Sequence, residues 1–434
     1  MIVVTFNYRL GVFGFLGGQE LKKYSNDGST GNAGFLDQRA VLRWVKANIE
    51  VFHGDPNRVL VLGENSGAAH LSAHMVSSGS RGLFQRAMML AGAFQNSGHQ
   101  TQEGAQANFD FVAGSTGCDV VRDRKVECLQ ALPPKVLTEF LEFGPSGKGY
   151  TALDIPFPTG WTNSSWTSTI DGVTLTGPAD LLAREGKAMK IPVILGSAHD
   201  SGTSIATQCR TCRGYMPMTL GEEKYIAWVR NNFPEPWGSK VLQAYSLDDR
   251  KPFWAAAHAL TDYGFKCPTY RAAKFLSKLP DSDIFVYNFD VYPVGPKVRP
   301  EVMEMPGSPC SEGSQGVSLG SDVLFFMNVR NRLATEYEKA LASSLSMYVR
   351  NFAWSGNPNT FPPRTKMAHL MRWPAYNNQS RMKLWISAPS EGNITVKNIS
   401  EKMSCDLWDA YWKNGEPVQE SALTLHTFHG SLFI

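Results

Sequence analysis

The stretch Val59-Leu60-Val61-Leu62-Gly63-Glu64-Asn65-Ser66-Gly67 constrains the fold more than any other part of the chain. Four apolar residues make a buried strand, and the helix-prone Ala68-Ala69-His70-Leu71-Ser72-Ala73 follow the second glycine. A strand that turns this sharply into a helix needs glycines at both shoulders, because the crossing backbones leave no room for a Cβ. In hydrolases built around such an elbow, the third residue carries the nucleophile on a strained backbone. Here that residue is Asn65, and an amide cannot act as a serine does. Ser66 is the alternative nucleophile, but it sits one place late. Its neighbours two away are Glu64 and Ala68 rather than glycines. Standing alone, Gly-x-x-x-Gly would be an ordinary strand–helix turn.

The rest of the chain points to α/β architecture. Apolar, β-branched runs such as Ile2-Val3-Val4-Thr5-Phe6 and Val59–Leu62 alternate with amphipathic helical stretches, the pattern of a largely parallel sheet flanked by helices. The 434 residues, 43% hydrophobic, suffice for a large core and read as one domain over 1–434. A loop-rich region near Pro145–Ser168 does not by itself mark a boundary. The net charge of +3, without any Lys/Arg run, gives no case for nucleic acid. No apolar stretch approaches the ~20 residues that span a bilayer. Asn163, Asn378, Asn393 and Asn398 open glycosylation sequons, which suggests secretion, although no signal peptide is visible. Cysteines number seven, so at least one lies outside any intramolecular pairing.

The most specific matches lie before and after the elbow. They are Asn7-Tyr8-Arg9-Leu10-Gly11-Val12-Phe13-Gly14-Phe15-Leu16, Gly31-Asn32-Ala33-Gly34-Phe35-Leu36-Asp37-Gln38 and Phe52-His53-Gly54-Asp55-Pro56, then Leu83-Phe84-Gln85-Arg86-Ala87, Ile170-Asp171-Gly172, Ile191-Pro192-Val193-Ile194-Leu195-Gly196 and Ser355-Gly356-Asn357-Pro358-Asn359. In this order they resemble the type-B carboxylesterase and cholinesterase family, which includes active ester hydrolases and non-catalytic adhesion proteins. The resemblance covers most of the chain and implies an α/β-hydrolase fold. Family members begin with a further segment that holds a glycine-rich oxyanion loop and a strand next to the elbow strand, so the resemblance implies a fold incomplete at its N-terminus. The expectation is a sheet lacking a central strand, and hence a poorly soluble chain when expressed alone.

The resemblance also places a catalytic acid and a base. The acid position, after the strand Val193-Ile194-Leu195, is Ser201, with Asp200 beside it. The base position, in Gly316-Val317-Ser318-Leu319-Gly320-Ser321-Asp322, is Leu319, which has no proton-transfer chemistry. Of the nine histidines, His199 lies closest to the acid loop. The triad-equivalent positions Asn65, Ser201 and Leu319 are therefore all substituted. The resemblance further implies disulfides Cys118–Cys128 and Cys267–Cys405, and these need an oxidising compartment. Cys209 and Cys212 form a single Cys-x-x-Cys, which could close locally or pair with Cys310. One such pair does not make a four-cysteine zinc site, and no metal or cofactor is expected. The implied function is a binding or adhesion-type module that has lost ester hydrolysis, recognising a protein partner or a small ester-like ligand. The alternative is an active carboxylic ester hydrolase with a rearranged serine site.

Overall fold

A computed structural model describes residues 1–95, 98–138, 140, 166–206, 220–280, 282–293, 316–363, 370–388, 393–399, 404–413 and 432–433. The strands are β1 (Leu60–Glu64), β2 (Arg86–Leu90), β3 (His99–Gln100), β4 (Ser168–Thr169), β5 (Val193–Ala198), β6 (Ile284–Asp290), β7 (Met382–Ser387), β8 (Ile394–Asn398) and β9 (Leu432–Phe433). Seven of them form one sheet in the order β8-β7-β6-β5-β2-β1-β9, and β3 pairs with β4 separately. From β1 to β7 every neighbouring pair is parallel. Only the two outer pairs, β7–β8 and β1–β9, are antiparallel.

Parallel strands are covered on both faces, so their sequences are apolar without alternation. The side chains nonetheless divide with a period of two. Val61, Met89, Val193, Leu195 and Val286 enter one core with Leu42, Val45, Leu71 and Met75 from helices Ala33–Asn48 and Ser66–Val76. Leu62, Met88, Leu90, Ile194 and Phe285 enter the opposite core with Leu345, Tyr348 and Phe352 of helix Glu336–Ser355. That helix starts on a capping box between Thr335 and Glu338 and ends at Gly356 with φ 81°.

A third apolar cluster gathers helices Glu222–Asn232, Pro252–Thr261 and Cys405–Lys413 around Trp228, Phe253 and Trp408. The Cys267–Cys405 disulfide ties this cluster to helix Cys267–Leu276, which packs on the sheet. Its loop of sequence separation 138 is worth about 3–5 kcal/mol in the chain-entropy model. Cys118–Cys128 closes a local loop. Asn163, Cys209, Cys212, Cys310 and almost all of the Pro145–Ser168 stretch lie outside the described residues.

Two expectations about the sheet are corrected. Ile2–Phe6 does not form a strand. Thr5 alone makes an isolated bridge, and Ile2 and Val3 are 41% and 51% exposed. A β-branched run becomes a strand only where a partner edge is offered. The edge of the elbow strand is instead met by β9, antiparallel, at Leu62 and Gly63. The place where a missing central strand was expected is thus occupied over two residues by the C-terminal end of the chain.

Candidate functional site

At the end of β1 the chain turns into helix Ser66–Val76 through Asn65, whose φ of 51° and ψ of −113° lie where a side chain is strained. Two close approaches and two hydrogen bonds hold it there. A Cβ at Gly63 would sit 2.4 Å from the Gly67 carbonyl oxygen, and one at Gly92 would sit 2.3 Å from that of Asn65. The Asn65 N–H donates to the Leu90 carbonyl at 3.0 Å, and the Asn65 carbonyl accepts from the Ala69 N–H at 3.0 Å. The backbone is therefore a nucleophile elbow with a buried amide side chain at its tip. Ser66 is the first residue of the helix and is partly buried.

The two loops to which the resemblance assigns the acid and base positions are brought to each other, and neither Ser201 nor Leu319 carries an acidic or basic side chain. Ser201 is fully buried, and its hydroxyl donates to the Ala198 carbonyl at 3.0 Å. Leu319 packs on the apolar cluster that holds Phe253 and Leu260. The two loops meet through Asp200. Its N–H donates to the Val317 carbonyl at 3.0 Å, and its Oδ2 accepts from the Val317 N–H at 2.9 Å. Gly316 must be glycine here, with φ 63° and a Cβ position only 2.2 Å from Asp200 Oδ2.

His199 is drawn away from the elbow. Its Nδ1 lies 2.6 Å from Asp200 Oδ1, and His258 Nε2 lies 3.5 Å from the same oxygen. Burial pushes the Asp200 carboxyl up, but the bonds from His199, His258 and the Val317 N–H outweigh it and hold the group well below its ordinary range. The His199 ring meets those of His258 and Trp385, the latter on β7. Strand β2 separates β5, which leads into His199, from β1, a span of roughly 10 Å at two strand spacings. His199 therefore stands beside the acid position and faces the far side of the sheet.

The sequence reading missed a pair of acids at the centre. Glu64 precedes Asn65, and a Cβ at Gly320 would lie 3.7 Å from Glu64 Oε1, so the base loop passes directly over the elbow. Asp322, two residues further on and 1% exposed, accepts a 2.5 Å hydrogen bond from the Tyr287 hydroxyl. Burial, and then the charge of Asp322, push the Glu64 carboxyl up to about 8. Burial lifts Asp322 to about 6, against the Tyr287 bond. At neutral pH Glu64 is thus mostly a protonated donor beside an amide. The sequence did carry a signal for the pair, since Glu64 adjoins Asn65 and Asp322 lies three residues after Leu319. His258 had none, because only the folded chain brings its helix to Asp200.

Among the described residues no three His, Cys, Asp or Glu side chains are grouped to hold a metal ion, and no helix is long and apolar enough to cross a membrane. A cleft of about 550 Å³ lies away from the elbow tip, between Ile2 and Val3 at the start of the chain, Leu60 and Leu62 of β1, and Val349 and Trp354.

With this geometry established, comparison with known proteins gives a consistent result. The chain is 27% identical to the crystal protein of Dictyostelium discoideum, over 96% of its own length and 69% of that relative. It is 26% identical to para-nitrobenzyl esterase of Bacillus subtilis, over 92% of this chain and 71% of the esterase. It is also 26% identical to mouse thyroglobulin, over 98% of this chain but only 15% of thyroglobulin. The family model described as "Carboxylesterase family" matches residues 1–408. A largely parallel sheet flanked by helices, an elbow at the end of β1 and this match leave one assignment: the chain belongs to the carboxylesterase family, with an α/β-hydrolase fold.

Proposed function

We propose that this protein, a single domain over residues 1–434, keeps the carboxylesterase scaffold without ester hydrolysis. It serves instead as a binding or adhesion-type module for a protein partner or a small ester-like ligand outside the cell. One observation carries the reading: the elbow backbone is intact while its tip bears the amide of Asn65. The other two positions agree with it. The Ser201 hydroxyl is sealed against its own backbone, and the Leu319 side chain is apolar and packed. The two disulfides support an oxidising location. The relatives are compatible with either outcome, since one is named as an esterase and two carry names that state no hydrolysis.

A fluorophosphonate probe tests this without knowledge of the substrate, because it labels only an activated serine. No labelling and no turnover of short-chain aryl esters above a denatured control are expected. Labelling that disappears in Ser66→Ala would establish the rearranged hydrolase instead. Asn65→Ser alone should stay inactive, because nucleophile and base act as a unit and Leu319 cannot supply the base. Substantial hydrolysis by that variant would refute the assignment of the acid and base positions.

A further inference from the structure

Among the described residues the sheet ends on one side at β8, whose sequence Ile394-Thr395-Val396-Lys397-Asn398 favours strand pairing. An edge of this kind offers unpaired N–H and C=O groups to another chain unless something blunts it. The usual devices are weak here. The register from Ile386↔Ile394 to Met382↔Asn398 is unbroken by a bulge, and the strand holds no proline. Lys397, the one charge on it, lies 4.0 Å over the Trp385 ring, against the sheet face rather than out along the edge.

At the start of this edge stands Asn393, the first residue of the sequon Asn393-Ile394-Thr395. It is exposed and has φ 63°, a conformation that asparagine tolerates better than most residues. Its carbonyl is held by the Ser387 N–H at 2.7 Å and the Ser387 hydroxyl at 3.2 Å. No hydrogen bond engages its side-chain amide among the described residues. At the other end of β8, the Asn398 amide Nδ2 donates to the Ser380 carbonyl at 2.6 Å and is turned onto the protein.

We propose that Asn393 is the principal N-glycosylation site of this hairpin, and that its glycan shields the β8 edge from pairing with a second copy. The transfer joins the sugar C1 to Asn393 Nδ2 and breaks the C1–O bond of a lipid-linked pyrophosphate oligosaccharide. The lipid pyrophosphate leaves, and one amide proton passes to the transferase's base. A bulky, hydrated group at the corner of an edge strand obstructs an incoming strand without altering the fold. In the native setting the inference rests on the extracellular reading above, so the test removes that dependence.

The full chain is expressed in eukaryotic cells behind an imposed secretion signal, and the secreted protein is mapped by glycosidase release in heavy-oxygen water. Labelled aspartate at position 393, at higher occupancy than at 398, is expected. Glycan trimming of the folded protein should then shift it from monomer to concentration-dependent oligomers in light scattering. Asn393→Gly, which keeps the positive φ and removes the sequon, should do the same. Because trimming acts after folding, it decides the matter even where the variant does not fold. A secreted chain bare at 393, or one that stays monomeric after trimming, overturns the proposal. A native gene product that immunolabelling finds in the cytosol, with Asn393 glycosylated in the redirected form, would overturn the extracellular reading and leave the site standing.

Discussion

Replacing Glu64 with glutamine tests the electrostatics of the site most directly. In the unfolded chain this carboxyl titrates near its ordinary 4.5, whereas in the fold burial, with Asp322 adding to it, lifts it to about 8. Well below pH 4.5 both states hold the proton and the group contributes nothing to the balance. As the pH rises the unfolded chain loses its proton first, the folded chain retains it, and stability falls until the folded group ionises near 8. One unit corresponds to about 1.4 kcal/mol, so the interval from 4.5 to about 8 sets a full penalty of about 5 kcal/mol. Glutamine keeps the shape and cannot ionise. Its melting temperature should match the wild type at about pH 4.5 and exceed it progressively up to about pH 8. With an unfolding entropy of about 2 cal/mol/K per residue over 434 residues, the difference should reach about 6 °C. Differential scanning fluorimetry across that range provides the assay. The difference should shrink in an Asp322→Asn background, which removes the second cause. A gap independent of pH, or one that widens toward acid, would refute the buried-acid account.

The other predictions also follow from packing and linkage. His70 is held at about 4 by burial, below its ordinary 6.5, so the unfolded chain takes up the proton first as pH falls through that window. This residue should cost about 1.4 kcal/mol of stability per unit of acidification there, and His70→Gln should flatten that slope in urea titrations. A slope unchanged by the substitution would show that the imidazole is hydrated. Gly63→Ala places a methyl 2.4 Å from the Gly67 carbonyl oxygen and should lower stability by about 1–3 kcal/mol or abolish soluble expression. A variant that melts like the wild type would mean that the turn is looser than described.

Much of the elbow was legible because its determinants are local. An apolar run and two spaced glycines specify strand, turn and helix within nine residues, and β1 begins one residue after Val59. The sheet was legible as a class but not in its order, since adjacency of β2 and β5 depends on segments about a hundred residues apart. Ile2–Phe6 illustrates the limit from the other side. Its composition is that of a strand, but pairing is a property of two edges, and β9 meets that edge instead. The C-terminal Leu432–Phe433 gave no signal, because two residues carry no periodicity. The clasp of His199 and His258 on Asp200 was hidden for the same reason, its parts being separated by 58 residues and a change of element.

The elbow geometry with asparagine at its tip has a physical basis. The Asn65 conformation is imposed by the carbonyl approaches at Gly63 and Gly92 and by the bond to Leu90, none of which involves the side chain at the tip. Strain of this kind costs about 1–3 kcal/mol for an ordinary residue, and in catalytic relatives the nucleophile justifies it. Asparagine is among the non-glycine residues that tolerate positive φ best, so Asn65 holds this conformation with less strain than most side chains would. An elbow with asparagine at its tip therefore keeps the fold intact, and selection for stability alone suffices to retain it. The neighbouring acids bear on the same point. Glu64, buried beside the charge of Asp322, keeps its proton at neutral pH, so the two acids share the site with a single negative charge. A scaffold in which strain and charge are both relaxed around Asn65 suits the recognition role proposed above, where a fixed surface is sufficient.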